Sequence, residues 1–143
     1  PRSKLLRAMA TPSISLHELI DRASLVCLNE TSAHPAANCF AEDDAYVQSD
    51  ADEQLFFNIP FTEPVHIVGI RVVASGEEAP AKLKLFANRP NFGFSDAESE
   101  PGLQEFLLEY DESGQSALSL PTVKFQNVHS LQIFVEENCG AEV

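Results

Sequence analysis

The spacing of hydrophobic and polar residues changes once along this chain, from a helical period to an extended one. Near the start, Leu16, Leu19 and Ile20 form one apolar stripe at helical spacing. Ser15 and Glu18 have the spacing of a capping box, in which each side chain binds the backbone amide of the other residue. This pattern predicts one short helix that docks on the rest of the domain.

Further along, the apolar positions follow the pattern of β-strands. Residues 65–73 are apolar nearly throughout, which is typical of a strand buried on both faces. Residues 81–87 and 122–126 alternate between polar and apolar, which is typical of strands with one buried face. The predicted strands are residues 54–59, 65–73, 81–87, 103–108, 122–126 and 131–135.

The turns and the order of these elements limit the fold class. Clusters of Gly, Pro, Ser and Asn separate the predicted strands, and helices do not alternate with strands. Short strands between tight turns are typical of antiparallel sandwiches and barrels. The residue pattern therefore predicts an all-β domain.

Composition and charge narrow the class of partner. The chain has 143 residues, of which 44% are hydrophobic and 22% charged, and this suits one globular domain. The 22 acidic residues outnumber the 9 basic ones and give a net charge of −13. Such a chain repels the phosphates of nucleic acids and anionic membranes, so we expect neither as a partner. The sequence also lacks the apolar run of ~20 residues that a transmembrane helix needs.

The basic residues at the start set that segment apart from the rest. Arg2, Lys4 and Arg7 all precede the first acidic residue, Glu18. We interpret residues 1–12 as a flexible basic arm, with an interaction arm or a targeting segment as the alternatives. Residues 13–143 then form the single predicted domain.

Three cysteines, Cys27, Cys39 and Cys139, are an odd number with wide spacing. This favours a reducing compartment, so we expect the cytoplasm, with the nucleus as the alternative. There is no Cys-x-x-Cys pair for a redox centre or a zinc ribbon. Cys39 and His34 are a conceivable nucleophile and base, but the sequence offers no third residue to orient them. We therefore expect that this chain has no enzymatic activity and binds no cofactor.

Seven short motifs in a fixed order carry a family resemblance. They are Cys27-Leu28-Asn29-Glu30, Ser49-Asp50-Ala51-Asp52-Glu53-Gln54-Leu55, Asn58-Ile59-Pro60-Phe61, Lys84-Leu85-Phe86-Ala87-Asn88-Arg89-Pro90, Phe94-Ser95-Asp96-Ala97-Glu98, Val123-Lys124-Phe125-Gln126-Asn127-Val128 and Ile133-Phe134-Val135-Glu136. Together they resemble the PITH domain, the C-terminal proteasome-interacting domain of thioredoxin-like proteins. The resemblance covers residues 16–140.

The resemblance implies a jelly-roll β-sandwich, similar to galactose-binding domains, that has no catalytic activity. It also implies docking on the regulatory particle of the 26S proteasome. Because the chain has no Cys-Gly-Pro-Cys sequence, it is similar to the stand-alone members of the family. Members usually continue past the position of Gly140 into a final apolar strand, whereas this sequence stops at Val143. A domain ending here would leave one strand without its neighbour.

The segment between Asn88 and Asp96 is the first candidate for a partner-binding site. Arg89, Phe92 and Phe94 stand there on a turn framed by Pro and Gly, and arginine and aromatic residues dominate binding hot spots. The alternative is that both phenylalanines fold inward, as anchors of the loop, while Arg89 pairs with a nearby acid. That acid would be Asp96 or Glu98.

Lys124, Gln126 and Asn127 form the second candidate. On an alternating strand the first two of these share one face, while Val123 and Phe125 point to the other. A solvated outer sheet face is the favoured explanation, although Lys124 is one of only 9 basic residues and could anchor an acidic partner surface.

Asp50, Asp52 and Glu53 are a weak candidate for a hard-cation site. Calcium takes six to eight oxygen ligands, and no EF-hand loop is present. A solvated loop in which the carboxylates cap turns is the favoured explanation, so we expect no metal.

The leading hypothesis is a non-enzymatic, monomeric adaptor that docks on the proteasome regulatory particle. Its acidic surface would meet a basic patch of the partner, so binding should weaken as salt rises. The alternative is a jelly-roll module that binds a small molecule or carbohydrate, which rests on fold analogy. Carbohydrate sites rely on Trp or Tyr faces, and this chain has no Trp and only Tyr46 and Tyr110.

Overall fold

β-Strands dominate the computed structural model, which describes residues 15–40, 46–74 and 76–141. In these ranges the strands are β1 (Val26–Leu28), β2 (Leu55–Val65), β3 (Gly69–Val73), β4 (Pro80–Ala87), β5 (Gln104–Leu107), β6 (Gln115–Ser119) and β7 (Val128–Asn138). The one α-helix of the described residues is α1 (Phe94–Ser99), and short 3₁₀ turns span His17–Leu19, Arg22–Ser24, Ala36–Phe40 and Val123–Phe125. None of these helices is long and apolar enough to cross a membrane.

The strands form two antiparallel sheets. One has five strands in the order β1-β2-β7-β4-β5, and the other pairs β3 with β6. Alternate residues of the five-stranded sheet, such as Ile59, Leu85 and Ile133, pack in one core with Ile70 and Leu118 of the smaller sheet. The predicted all-β sandwich is therefore confirmed.

The five-stranded sheet is also apolar on its outer face. Phe56 lies opposite Phe134 in the β2–β7 register, and Phe86 lies opposite Gln132 in the β4–β7 register. These three phenylalanines form a second cluster with Ala97 of α1. Because both of its faces are covered, β7 carries three adjacent apolar residues, Ile133, Phe134 and Val135, where a strand with one solvated face would alternate with polar residues.

Two elements in the first half of the chain differ in length from the prediction. The predicted helix is a single 3₁₀ turn, His17–Leu19, flanked by the buried residues Leu16 and Ile20. The first predicted strand does not stop before Pro60: β2 continues to Val65, and its register with β7 shifts after the proline. Proline donates no hydrogen bond, so the irregular pairing beyond it accommodates the ring.

The strand predicted at residues 122–126 is wrong. A 3₁₀ turn, Val123–Phe125, occupies this segment, and Asn127 follows in a left-handed conformation with φ 51°. At three residues per turn, side chains two positions apart point in different directions. Phe125 is consequently fully buried whereas Val123 is 85% exposed, and Lys124 and Gln126 do not share a strand face.

The predicted strand at 65–73 is split, because β2 ends at Val65 and β3 begins at Gly69. The predictions at 81–87, 103–108 and 131–135 correspond to β4, β5 and β7. Three elements were missed: β1, β6 and α1, which have 3, 5 and 6 residues. The predicted arm at residues 1–12 lies outside the described residues.

Candidate functional site

Both sets of candidate binding residues lie at one end of the sandwich. The Asn88 side-chain amide donates to the Asn127 carbonyl oxygen at 3.3 Å, and the Lys124 ammonium donates to the Leu103 carbonyl oxygen at 3.1 Å. These bonds join residues 122–127 to two segments that precede them by about 20 to 40 residues. We call residues 88–93, 100–103 and 122–127 the loop end.

Asn88 ties the loop end to β7. It has a left-handed backbone with φ 59°, which asparagine adopts more readily than most residues. Its Oδ1 accepts the backbone N–H groups of His129 at 2.7 Å and Ser130 at 3.3 Å. Since three hydrogen bonds tie this exposed side chain to the rest of the domain, Asn88 has a structural role in the loop end.

Arg89 is the most prominent side chain of the loop end. Its guanidinium carbon lies 4.3 Å from the centre of the Phe92 ring. Nη2 lies 3.1 Å from both carboxylate oxygens of Glu100, and the two side chains are 44% and 40% exposed. The predicted pairing of Arg89 with Asp96 or Glu98 is therefore wrong, because its partner is Glu100. Glu100 was missed because it follows α1, an element that the sequence pattern did not predict.

Phe92 and Phe94 both turn inward. Phe92 packs on Phe86 with a centroid distance of 4.5 Å, and Phe94 meets Phe134 edge-on at 5.8 Å. Both remain partly buried against the outer-face cluster. Phe94 is thus an anchor of the loop, whereas Phe92 anchors the loop and also supports the Arg89 guanidinium.

Asp96 has a capping role at the start of α1. Its Oδ2 accepts the Gly93 N–H at 3.0 Å, which satisfies one of the free amides at the helix N-terminus. α1 then carries Ala97 onto the phenylalanine cluster. This local structure fixes the distance in space between Arg89 and Glu100.

The 3₁₀ turn presents the remaining groups. Lys124 and Gln126 are exposed, as predicted for a solvated surface, but they stand on a turn. Val123 is 85% exposed and Leu103 37% exposed. Sequence reasoning assigned Val123 to a buried face, so this exposed apolar residue was missed.

The surface of the loop end has two shallow depressions separated by Arg89. One, of about 230 Å³, is lined by Asn88, Arg89, Pro90, Asn91, Phe92 and Asp96. The other, of about 270 Å³, is lined by Phe86, Ala87, Arg89, Pro101, Gly102 and Leu103. The Arg89 side chain lines both depressions. Shallow, open depressions of this kind suit contact with a protein surface better than they suit a small molecule, which usually binds in an enclosed cavity.

The weak metal candidates lie in a different loop. Oδ1 of Asp52 accepts the Asn29 side-chain amide at 2.9 Å and the Gln54 N–H at 3.0 Å, so Asp52 caps a turn. Asp50 is exposed and Glu53 is partly buried. Across the described ranges, no three His, Cys, Asp or Glu side chains are grouped as metal ligands.

The candidate nucleophile and base are engaged elsewhere. Cys39 is fully buried in the main core, while the His34 ring stacks on Tyr46 at 4.1 Å. Burial, with Glu30 and Cys39 adding to the effect, raises the pKa of the Cys27 thiol. A thiol with a raised pKa stays protonated and is a poor nucleophile.

Comparison with known proteins identifies the family. The model of the PITH domain matches residues 8–143. A PITH domain-containing protein of Drosophila melanogaster is 36% identical over 136 residues, which are 90% of this chain and 64% of that protein. PITH domain-containing protein 1 of Homo sapiens is 35% identical over 134 residues, which are 89% of this chain and 63% of that protein.

A further relative is Thioredoxin-like protein 1 of Schizosaccharomyces pombe. It is 37% identical over 136 residues, which are 90% of this chain and 47% of that protein. The chain therefore spans less than two thirds of the length of these relatives. Since the family model covers residues 8–143, which include every helix and strand described above, the chain belongs to the PITH domain family.

Proposed function

We propose that this chain is a non-enzymatic adaptor domain that docks on the regulatory particle of the 26S proteasome with its loop end. Membership of the PITH family supports proteasome interaction as the class of function. The observation that carries the choice of surface is Arg89, an exposed cation held in one geometry by Phe92 and Glu100.

The chemistry of the loop end suits protein docking. Arginine recognises carboxylates in a planar geometry, and a guanidinium already held in place loses little side-chain entropy on binding. Lys124 adds a second cation, and the exposed Val123 adds apolar surface. The net charge of −13 would steer the domain towards basic regions of the particle, while the loop end fixes the register.

The alternative, a sugar-binding module, needs an open aromatic face. The Tyr46 ring gives one face to His34, and the Tyr110 hydroxyl donates to the Pro80 carbonyl oxygen at 2.6 Å. Both tyrosines thus have structural partners, and we keep the adaptor as the proposal.

Binding of this chain to purified 26S proteasome tests the proposal. We would measure affinity for the wild type, Arg89→Glu and an Arg89→Glu, Phe92→Ala double variant, at about 50 and about 300 mM salt. Lys82→Glu is the matched control, because Lys82 also pairs with a glutamate, Glu136 at 3.3 Å, away from the loop end. Circular dichroism would confirm that each variant is folded.

We expect Arg89→Glu to weaken binding at least ~10-fold, as for a hot-spot arginine. Lys82→Glu makes the same change of charge outside the proposed interface and should change affinity by less than ~3-fold. Folded Arg89→Glu that binds as well as the wild type would place the contact elsewhere on the domain. Failure of the wild type to bind at low salt would refute the adaptor itself.

A further inference from the structure

Gln132 is a fully buried polar side chain on the outer face of the five-stranded sheet. It lies opposite Asn58 on one side and Phe86 on the other. Most residues in such a position are apolar, since a buried amide is costly unless each of its polar groups finds a partner. The partners of Gln132 therefore indicate why an amide stands here.

All the hydrogen-bonding groups of the Gln132 amide are engaged. Its nitrogen donates to Asn58 Oδ1 and to Ser130 Oγ, both at 2.9 Å. Its oxygen accepts the backbone N–H of Arg89 at 3.1 Å. Asn58 and Ser130 belong to β2 and β7, so Arg89 is the partner that connects this buried network to the loop end.

Lys84 makes the equivalent connection to the other half of the ion pair. It stands on β4 and is only 7% exposed. Its ammonium donates to the carbonyl oxygens of Ala97 at 3.1 Å, Glu98 at 3.4 Å and Glu100 at 3.2 Å. These carbonyls lie at the C-terminal end of α1, where they lack helical partners and favour a cation.

Both residues of the exposed pair are consequently tied to buried side chains of the sheet. Gln132 holds the backbone of Arg89, and Lys84 holds the backbone of Glu100. The two side chains are joined to each other by the ion pair between Arg89 Nη2 and Glu100 Oε1, at 3.1 Å. The surface groups are thus positioned by the rigid sheet and not by the loop alone.

We propose, on the basis of the proposed docking function, that Gln132 and Lys84 are positioning residues. They preform the Arg89–Glu100 surface for the partner without touching the partner. A preformed surface binds more tightly because less order has to be imposed on association. Loss of either residue should therefore weaken docking although every exposed contact group remains.

Gln132→Met is the main test, because methionine keeps the length of the side chain and removes its polar groups. Ile133→Val is the matched control: Ile133 is the next residue of β7, is fully buried, and packs in the main core. Two quantities would be measured: exchange of the Arg89 amide proton by NMR in the free chain, and affinity for purified 26S proteasome.

We expect Gln132→Met to speed exchange of the Arg89 amide by roughly 10-fold or more, since its hydrogen bond is lost. Affinity should fall by a similar factor, and Ile133→Val should change neither beyond its effect on global stability. Lys84→Met should have the same effect on affinity, with the Glu100 amide as its local probe.

Several outcomes would overturn the proposal. The proposal is overturned if the Arg89 amide of the wild type exchanges at the free-peptide rate, and this result does not depend on the folding of any variant. Faster exchange with unchanged affinity would make Gln132 structural only. Wild-type binding with equal binding by Gln132→Met refutes this inference alone, whereas no wild-type binding refutes the docking function and this inference with it.

Discussion

Asparagine has a recurrent role in this domain as the residue that fastens loops. The three non-glycine residues with positive φ in the described ranges are Asn29, Asn88 and Asn127. The Asn29 amide donates to the Gln54 carbonyl oxygen at 2.7 Å, as Asn88 does to Asn127 at 3.3 Å. Asn29 and Asn88 thus combine the left-handed conformation with a side-chain hydrogen bond that holds a neighbouring segment. We therefore expect Asn88 to act on docking by holding the loop end in place.

Tyr110 gives a prediction at the scale of one residue. Its hydroxyl donates to the Pro80 carbonyl oxygen at 2.6 Å, and burial, with Cys139 adding to the effect, raises its pKa. In the unfolded chain a tyrosine ionises near pH ~10. Above that pH the unfolded state binds fewer protons than the folded state, so stability falls as pH rises.

Tyr110→Phe should cost about 1 kcal/mol near neutral pH, through the lost hydrogen bond. The difference from the wild type should narrow above about pH 10, because the variant has no hydroxyl to ionise there. Urea unfolding at a series of pH values would measure this difference. A difference that stays constant across the series would contradict the proposed role of the Tyr110 proton.

At the scale of elements, the long strands with a clear period were predictable, whereas of the short elements β5 was predicted but β1, β6 and α1 were not. β4 and β7 have 8 and 11 residues, long enough for their apolar positions to show. α1 has only 6 residues, and its phenylalanine and alanine pack on the sheet by tertiary contacts that no local pattern encodes. The predicted residues Arg89 and Lys124 do lie together, but Glu100 and Gln132 emerge only from the fold.

The 3₁₀ turn at Val123–Phe125 gives a prediction at this scale. In the strand predicted from the sequence, Val123 and Phe125 would share a buried face, and shortening either would be costly. In the turn only Phe125 is buried. Phe125→Ala should therefore cost ~3–5 kcal/mol.

Val123→Ala should change stability by less than ~0.5 kcal/mol, as for an exposed site. Both free energies of unfolding can be measured by urea titration of purified protein. Comparable losses at the two positions would contradict the turn and restore the strand.

At the scale of the whole molecule, charge and sheet edges act against each other. The net charge of −13 makes two copies repel. β1 and β5, however, are the outer strands of the five-stranded sheet, and β5 carries Leu107, which is 79% exposed. An edge strand with an exposed apolar side chain invites pairing with another chain. We therefore predict that charge repulsion opposes pairing of two copies through the β5 edge.

The oligomeric state should therefore depend on pH. Sedimentation velocity near neutral pH should show the monomer of 15.7 kDa. Near pH 4.5, the isoelectric point calculated from the sequence, repulsion disappears and association should set in. Leu107→Lys should suppress that association, because a lysine on an edge strand blocks pairing.

Val123→Lys is the control, since it also replaces an exposed apolar residue by lysine but lies on the 3₁₀ turn. Equal suppression by both variants would show that added charge matters and the β5 edge does not.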